Sequence, residues 1–283
     1  LSFYLNKHQD GTWSVQKTPL LVTIGTTFAT AFGGGVLTYH IGLGYTYGWS
    51  ALSYGVCQGG GIFLVILMAK WLRQHEFDTI PTIFRELYGE SKVLTVFVAI
   101  ASVVTPFGWI AGQCTAFGKL FSAITGIPVS ILTVVFAVAC LLFVLPNGFG
   151  TVAWTDAIFG FVMCTLCIAT IFYALTMAGG WGSVKLAVPA EIISFPSGMA
   201  AVGGAQLALW AMSVLPGQPT NQMYIQRVSS VRNVKDIYKA LGISCVMVFA
   251  ADIFASVVGM SIRTVMPGLA SEEVFGWFLT QLP

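Results

Sequence analysis

The fold is decided by the stretch TTFATAFGGG, residues 26–35. It lies in a segment from Thr18 to Ala69 that contains no Asp, Glu, Lys or Arg. Consecutive glycines weaken a helix by about 1 kcal/mol each relative to alanine, so a helix through this stretch is expected either to break or to pack very closely against a neighbour. Residues 18–47 also exceed the ~20 residues of one straight membrane span, which favours a break or a strong tilt.

The composition indicates a membrane protein. Hydrophobic residues make up 56% of the 283 residues and charged residues only 8%, whereas soluble domains carry roughly 25% charged residues. The net charge of +2 is too small to indicate nucleic-acid binding. The six cysteines all lie in apolar stretches, so we interpret them as buried or lipid-facing residues and not as a disulfide framework.

Seven apolar stretches predict an all-α, polytopic transmembrane bundle that forms a single domain over residues 1–283. Two spans share the charge-free segment and are joined by a turn at Gly42–Gly48, and the others cover about residues 93–117, 129–145, 155–177, 199–215 and 237–260. Because the chain begins at Leu1 and ends at Pro283, we expect it to be a piece of a longer protein.

The distribution of Lys and Arg predicts the orientation of the bundle. With seven spans, one face receives Lys7, Lys17, Lys70, Arg73, Arg85, Lys92, Arg227, Arg232, Lys235 and Lys239, and the other receives Lys119, Lys185 and Arg263. Cytoplasmic loops carry the excess of basic residues, so the N-terminal segment is expected on the cytoplasmic side of the cell membrane. The loop at residues 70–92 on that side has apolar residues at helical spacing and predicts a short amphipathic helix at the membrane interface, interrupted or kinked by Pro81.

Three motifs in order carry a resemblance to a known family. They are FATAFGGG at residues 28–35, GFGTVAWTD at residues 148–156, and LPGQP at residues 215–219 followed by Gln226-Arg227. Together they resemble the sodium/solute symporter family, which includes sodium-coupled carriers of sugars, proline, pantothenate and sialic acid. The resemblance implies the LeuT-type fold, in which two inverted five-helix repeats form ten core helices. This chain would then be a truncated form with core helices 1–7.

The resemblance also implies a sodium site. By position in the first motif, Ala29 and Phe32 would offer backbone carbonyls to Na+, which accepts neutral oxygens. Ala31 stands where several family members have Asn or Asp, so a polar side chain is missing beside that site. Asp156 matches an acid that some members use for a second sodium or for ion exit. It can equally be a helix N-cap or a first-turn acid stabilised by the helix dipole.

Further candidates come from polar or glycine residues inside the spans. We expect Gly34, Gly35, Val36, Gln113 and Trp210 to line the solute cavity, although each residue type is also common in packing. Asp252 lies near the middle of the seventh span, where a charge is expensive and functional by default. The resemblance gives Asp252 no role, and a protonated or a water-facing acid fits equally well. His40 is expected to be buried and hydrogen-bonded.

The sequence therefore predicts sodium-coupled symport of a small solute, with the lipid bilayer, sodium and the solute as partners. A solute-sensing module of a sensor kinase and a transport-inactive membrane subunit are the alternatives. No pattern typical of a nucleophile with its base or of a metal-ligand cluster appears, so an enzyme is not expected. Neither the solute nor the oligomeric state can be read from the residues, because one scaffold serves many solutes.

Overall fold

The computed structural model describes residues 18–75, 77, 79–144, 148–231 and 233–282. This part of the chain is all-α and contains no strand, which confirms the predicted fold class. Its helices are α1 (Leu20–Ala31), α2 (Gly34–Tyr47), α3 (Ser50–Gln74), α4 (Ile80–Tyr88), α5 (Lys92–Thr125), α6 (Val129–Val144), α7 (Gly148–Met177), α8 (Trp181–Ala187), α9 (Ala190–Ile193), α10 (Gly204–Gly217), α11 (Gln222–Ser230), α12 (Val234–Val265) and α13 (Val274–Thr280).

Within the described ranges, four helices are long and apolar enough to cross a bilayer. They are α3, α5, α12 and the part of α7 from Val152 to Met177, and the bent pair of α1 and α2 makes a fifth if it counts as one span. The structure thus supports a multi-pass membrane protein.

The other two predicted spans are short. α6 has 16 residues, and the predicted sixth span is a 3-10 turn at Ser197–Ala200 followed by the 14 residues of α10. At 1.5 Å per residue, α6 rises about 24 Å and α10 about 21 Å, less than the ~30 Å of the hydrocarbon core. The count of seven spans therefore stays a prediction.

The first span is broken at the predicted glycines. α1 ends at Ala31 and α2 begins at Gly34, and the two axes differ in direction by 55°. The sequence left open whether these glycines break the helix or only allow close packing. The break is confirmed, and it places Phe32 and Gly33 between two half-helices.

The predicted turn at Gly42–Gly48 is wrong in its extent. α2 continues to Tyr47, and the chain reverses only at Gly48 and Trp49, where Gly48 adopts a positive φ of 55°. Gly44 is helical and serves close packing, because a Cβ atom there would lie 2.5 Å from the carbonyl oxygen of Ala255 in α12. Glycine in a span can therefore form a turn, as at Gly48, or allow close helix packing, as at Gly44, and composition alone does not distinguish the two roles.

α12 is the central support of the bundle. It packs along α1, α2, α3 and α7, and its buried face runs from Ile237 to Ile262. Both half-helices of the first span therefore rest on one continuous helix. Packing against the same helix therefore sets the angle between α1 and α2.

Three segments meet at one end of the bundle. The backbone N–H of Thr18 donates to the Ser230 carbonyl at 2.9 Å, Arg73 donates to the Ser229 carbonyl at 3.1 Å, and Ser229 donates to the Phe77 carbonyl at 2.7 Å. These segments precede the first span, follow the second and follow the sixth predicted span. The sequence places all three on one face, and the structure brings them together.

The loop at residues 70–92 contains the nine-residue helix α4. Pro81 lies in its first turn, where a missing N–H is harmless, so the proline starts this helix and does not interrupt it. Ile80 and Ile83 are buried while Leu87 and Tyr88 are exposed. Its position at a membrane interface stays a prediction.

Candidate functional site

The break frees backbone carbonyls in the interior. The N–H of Phe32 donates to the Phe28 carbonyl at 2.8 Å, and the next helical bond is from Leu37 to Gly33 at 2.9 Å. Among the described residues, no N–H group donates to the carbonyls of Ala29 or Phe32 across the break. These are the two carbonyls that the sequence predicts for sodium.

A glutamine satisfies one further carbonyl at the break. Gln58 of α3 donates its side-chain N–H to the Ala31 carbonyl at 2.6 Å. Ala31 itself carries no polar side chain, so Gln58 supplies a polar contact from a neighbouring helix. The Ala31 carbonyl is consequently less available to an ion than its neighbours.

Gln113 of α5 caps the second half-helix. Its side-chain oxygen accepts a hydrogen bond from the backbone N–H of Gly35 at 2.7 Å, which is one of the unsatisfied donors at the start of α2. A Cβ atom at Gly33 would lie 2.9 Å from the Gln113 nitrogen, so the glycine leaves room for the amide beside the break. The structure thereby brings Gln113 together with the glycines of the break.

A cavity of about 1080 Å³ lies beside the break. Of the sequence-predicted site residues, Ala29, Gly34, Gln113 and Asp156 line it. The rest of its wall is mostly apolar and includes Phe107, Ile110, Phe136, Phe159, Met163, Phe254 and Phe275. Such a site has the composition of a small-molecule pocket, with a few polar groups in an apolar wall.

Gly35, Val36 and Trp210 lie outside the lining of that cavity. Gly35 lines a second cavity of about 520 Å³, and Val36 packs against the core. Trp210 of α10 is 4% exposed, and its ring packs at 5.3 Å from that of Tyr54. Their part in binding a solute stays a prediction.

An ion pair stands at the second cavity. Lys119 of α5 donates to Glu272 at 2.7 Å, and both side chains are exposed. The hydrogen bond and the charge of Lys119 lower the pKa of Glu272, which therefore remains ionised at neutral pH. An exposed pair of this kind contributes little to stability.

Asp156 is neither an N-cap nor a first-turn acid. α7 begins at Gly148, so Asp156 lies in the third turn of the helix, and this alternative from the sequence is wrong. Its carboxylate accepts a hydrogen bond from the Thr26 hydroxyl at 3.1 Å and lies 3.5 Å from an Arg227 nitrogen. Asp156 thus connects α1, α7 and α11 at the edge of the large cavity.

Asp252 has a partner that the sequence did not reveal. Asp252 of α12 and His40 of α2 are fully buried, and the carboxylate hydrogen-bonds the Nδ1 atom of the imidazole. The expectation of a buried, hydrogen-bonded His40 is confirmed, and a water-facing Asp252 is excluded by its burial. Gly55 of α3 provides the space, because a Cβ atom there would lie 2.1 Å from the carboxylate.

Arg227 is the site residue that sequence reasoning missed. The sequence shows it only as a basic residue in a loop and as part of the Gln-Arg motif. Its guanidinium is 6% exposed and donates to the hydroxyls of Thr26 and Thr30 as well as facing Asp156. The sequence did contain a signal: Asp156 ends the second motif and Arg227 ends the third, so an acid and an arginine could have been paired.

The chain as described is a polytopic α-helical membrane protein with a broken first span beside a largely apolar cavity. The family model of the sodium:solute symporter family matches residues 18–276. This chain belongs to the sodium:solute symporter family. No curated protein sequence matches it significantly. Membership implies sodium-coupled transport of a solute, with sodium as the coupling ion, and the family is one of transporters and not of enzymes.

The buried pair of Asp252 and His40 predicts a large loss of stability on truncation. Asp252→Ala leaves the imidazole without its partner in the interior, and breaking a buried pair in this way destabilises by about 3–5 kcal/mol. We expect a clear fall in the thermal unfolding midpoint of the purified protein in detergent. Asp236→Ala is the control, since Asp236 lies in the first turn of the same helix and is only partly buried. Equal midpoints for the two variants would contradict the assigned role of the pair.

Proposed function

We propose that this protein carries a small solute and sodium together across the membrane by alternating access. The observation that supports it most is the break at Phe32 and Gly33, which leaves the Ala29 and Phe32 carbonyls without a helical partner. Ala29 and Gly33 line the large cavity, whereas Phe32 is fully buried. Freed carbonyls and half-helix ends at the middle of a span are the means by which transporters of this kind bind ions and substrates.

Sodium fits the end of α1. Its preferred ligands are oxygen atoms, and the carbonyls of Ala29 and Phe32 offer them without any acidic side chain. The negative end of the α1 dipole also lies at this point and favours a cation. Asp156, at the edge of the same cavity, is proposed as a second cation contact or as a step on the exit route.

The solute is proposed to bind in the large cavity near the start of α2. The positive end of the α2 dipole lies there at Gly34, together with the amide of Gln113 that accepts from the Gly35 N–H. The mostly apolar wall accommodates the non-polar part of a small molecule, and the few polar groups would orient it. Sodium and solute would thus stabilise adjacent ends of the two half-helices.

The motif order supports a LeuT-type arrangement in which the first five spans form one repeat. We propose that the end of the bundle holding Thr18, Arg73 and Ser229 faces the cytoplasm, in agreement with the excess of basic residues in those segments. Alternating access would then open and close this end against the opposite one. There, the backbone N–H of Trp49 donates to the Ile192 carbonyl at 3.1 Å.

Uptake into proteoliposomes tests the function. The purified protein is reconstituted and screened with radiolabelled sugars, amino acids and carboxylates, with either an inward sodium gradient or a choline gradient. We expect at least one solute to accumulate above its equilibrium level only with sodium. Binding of a solute without accumulation and without a sodium requirement would instead support a sensor module.

A substitution at Gln113 tests the site. Gln113→Leu removes the acceptor for the Gly35 N–H and one polar group of the cavity wall, so a partly buried donor loses its partner. We expect sodium-driven uptake to fall by about tenfold, the equivalent of a lost hydrogen bond of ~1.4 kcal/mol. Thr115→Val on the same helix is the control, because that hydroxyl is exposed and bonds its own helix at Ala111. Wild-type uptake by the Gln113 variant would refute this assignment of the cavity.

A further inference from the structure

Oxygen atoms from three side chains converge on one nitrogen of Arg227. Its Nη2 atom lies 2.9 Å from the Thr26 hydroxyl and 3.5 Å from the Asp156 carboxylate, and it also donates to the Thr30 hydroxyl. The Thr26 hydroxyl in turn donates to Asp156 at 3.1 Å. Two hydroxyls and a carboxylate therefore surround a single positive group at the interface of α1, α7 and α11.

The guanidinium is buried there without being fully satisfied. The residue is 5% exposed, and its Nη1 atom donates to the Met223 carbonyl within α11 at 2.9 Å. Its Nε atom is buried and has no hydrogen-bond partner within the described residues. Buried donors are normally paired, so an orphan in this position needs an explanation. The missing partner is explained if the guanidinium occupies this cluster during only part of the transport cycle.

We propose that Arg227 is a tethered cation that takes the place of sodium at Asp156, Thr26 and Thr30, so that the guanidinium and a sodium ion compete for the same oxygens. This inference rests on the proposed sodium coupling and names Arg227 as the competitor of the sodium ion. The cluster is chemically suited to sodium, since hydroxyl and carboxylate oxygens are the donors of hard cations and suit Na+ as they suit Ca2+ and Mg2+.

Charge makes the two occupants mutually exclusive. Asp156 is the only acidic side chain among these groups, and one carboxylate balances one monovalent cation. Two cations at that carboxylate would leave a net positive charge in a poorly solvated site, where uncompensated charge is strongly unfavourable. A sodium ion that reaches Asp156 from the cavity therefore weakens the hold on Arg227, and a seated Arg227 weakens sodium binding to the same degree.

The competition acts on one end of the bundle. α11 carries Arg227, and the residues that follow it bond to Thr18 before α1 and to Arg73 at the end of α3. Arg227 adds a charged contact from α11 to the middle of α1 and to α7. Its release by sodium would remove that contact and loosen the end of the bundle at which we place the cytoplasm.

Sodium binding to the purified protein tests this inference without a known solute. The thermal unfolding midpoint in detergent is measured against sodium chloride, with choline chloride holding ionic strength constant. Arg227→Gln keeps a side-chain N–H donor but removes the charge. We expect its half-saturating sodium concentration to fall at least about fivefold relative to the wild type, the lower end of typical coupling between sites.

Three further variants make the outcome decisive. Arg73→Ala removes a guanidinium at the same end of the bundle that bonds the Ser229 carbonyl and lies outside the oxygen cluster, so its half-saturating concentration should equal that of the wild type. In an Asp156→Asn background, adding Arg227→Gln should leave the half-saturating sodium concentration unchanged. If Arg227→Gln does not fold, Arg227→Lys is the deciding variant. Its strongly hydrated ammonium group competes less well with sodium, so its half-saturating sodium concentration should lie below that of the wild type and above that expected for Arg227→Gln.

The results also separate this inference from the function on which it rests. A wild-type protein that responds to sodium, with Arg227→Gln and Arg227→Lys both at the wild-type value, would overturn the competition and leave symport intact. A wild-type protein with no response to sodium as opposed to choline would count against sodium coupling itself.

Discussion

Hydrogen bonding of the backbone around Phe32 and Gly33 is the constraint on which the rest of the structure depends. In an apolar medium every carbonyl needs a partner, and the chain departs from helical geometry at this point in the middle of a span. Side chains of the neighbouring helices bond some of these backbone groups and not others. Gln58 and Gln113 each satisfy one backbone group, whereas no N–H group in the described part of the chain donates to the carbonyls of Ala29 and Phe32. We propose that a sodium ion satisfies them.

The half-helices on either side of the break are held by close packing along α12. On α12, a Cβ atom at Gly259 would lie 2.5 Å from the Ile41 carbonyl, and Gly44 is equally tight against Ala255. The buried pair of His40 and Asp252 adds a polar tie between the same two helices. The second half-helix is thus anchored firmly at its far end, which leaves its N-terminus near Gln113 as the end that a ligand can influence.

The contrast between the two ends of the first span bears on mechanism. α2 is fixed to α12 by glycine contacts and a buried pair. α1 also packs closely on α7, since a Cβ atom at Gly25 would lie 2.8 Å from the Ala157 Cα atom, but its link to Arg227 of α11 runs through the hydroxyls of Thr26 and Thr30. Close backbone packing leaves no room for an alternative arrangement, but side-chain contacts can be exchanged for water or an ion. In our proposal, sodium replaces the side-chain contacts around Arg227 and leaves the packing of α1 on α7 in place.

The sequence predicted the elements whose signals are local. Glycine content and span length pointed to a break or a close helix contact near residues 33–35, and the structure has the break at Phe32 and Gly33. The helical class followed from composition. The pair of His40 and Asp252 could not be predicted, because 212 residues separate the two and neither carries a sign of the other. Gly42 and Gly44 were misassigned to a turn, since the role of a glycine depends on which helix lies opposite. Arg227 was hidden for a related reason, as an arginine in a loop is usually solvated and only the packing of α11 buries it.

The reciprocal effect of sodium and solute on each other's binding tests the central claim most directly. Calorimetric titration of the purified protein would give the affinity for the solute identified by uptake, without sodium and at saturating sodium, and then the affinity for sodium without and with that solute. If both ligands complete one site around the break, each should tighten the other by the same factor, at least about fivefold. Affinities that are independent of each other would contradict the account, since the carbonyls freed by the break would then play no part in joining sodium to the solute.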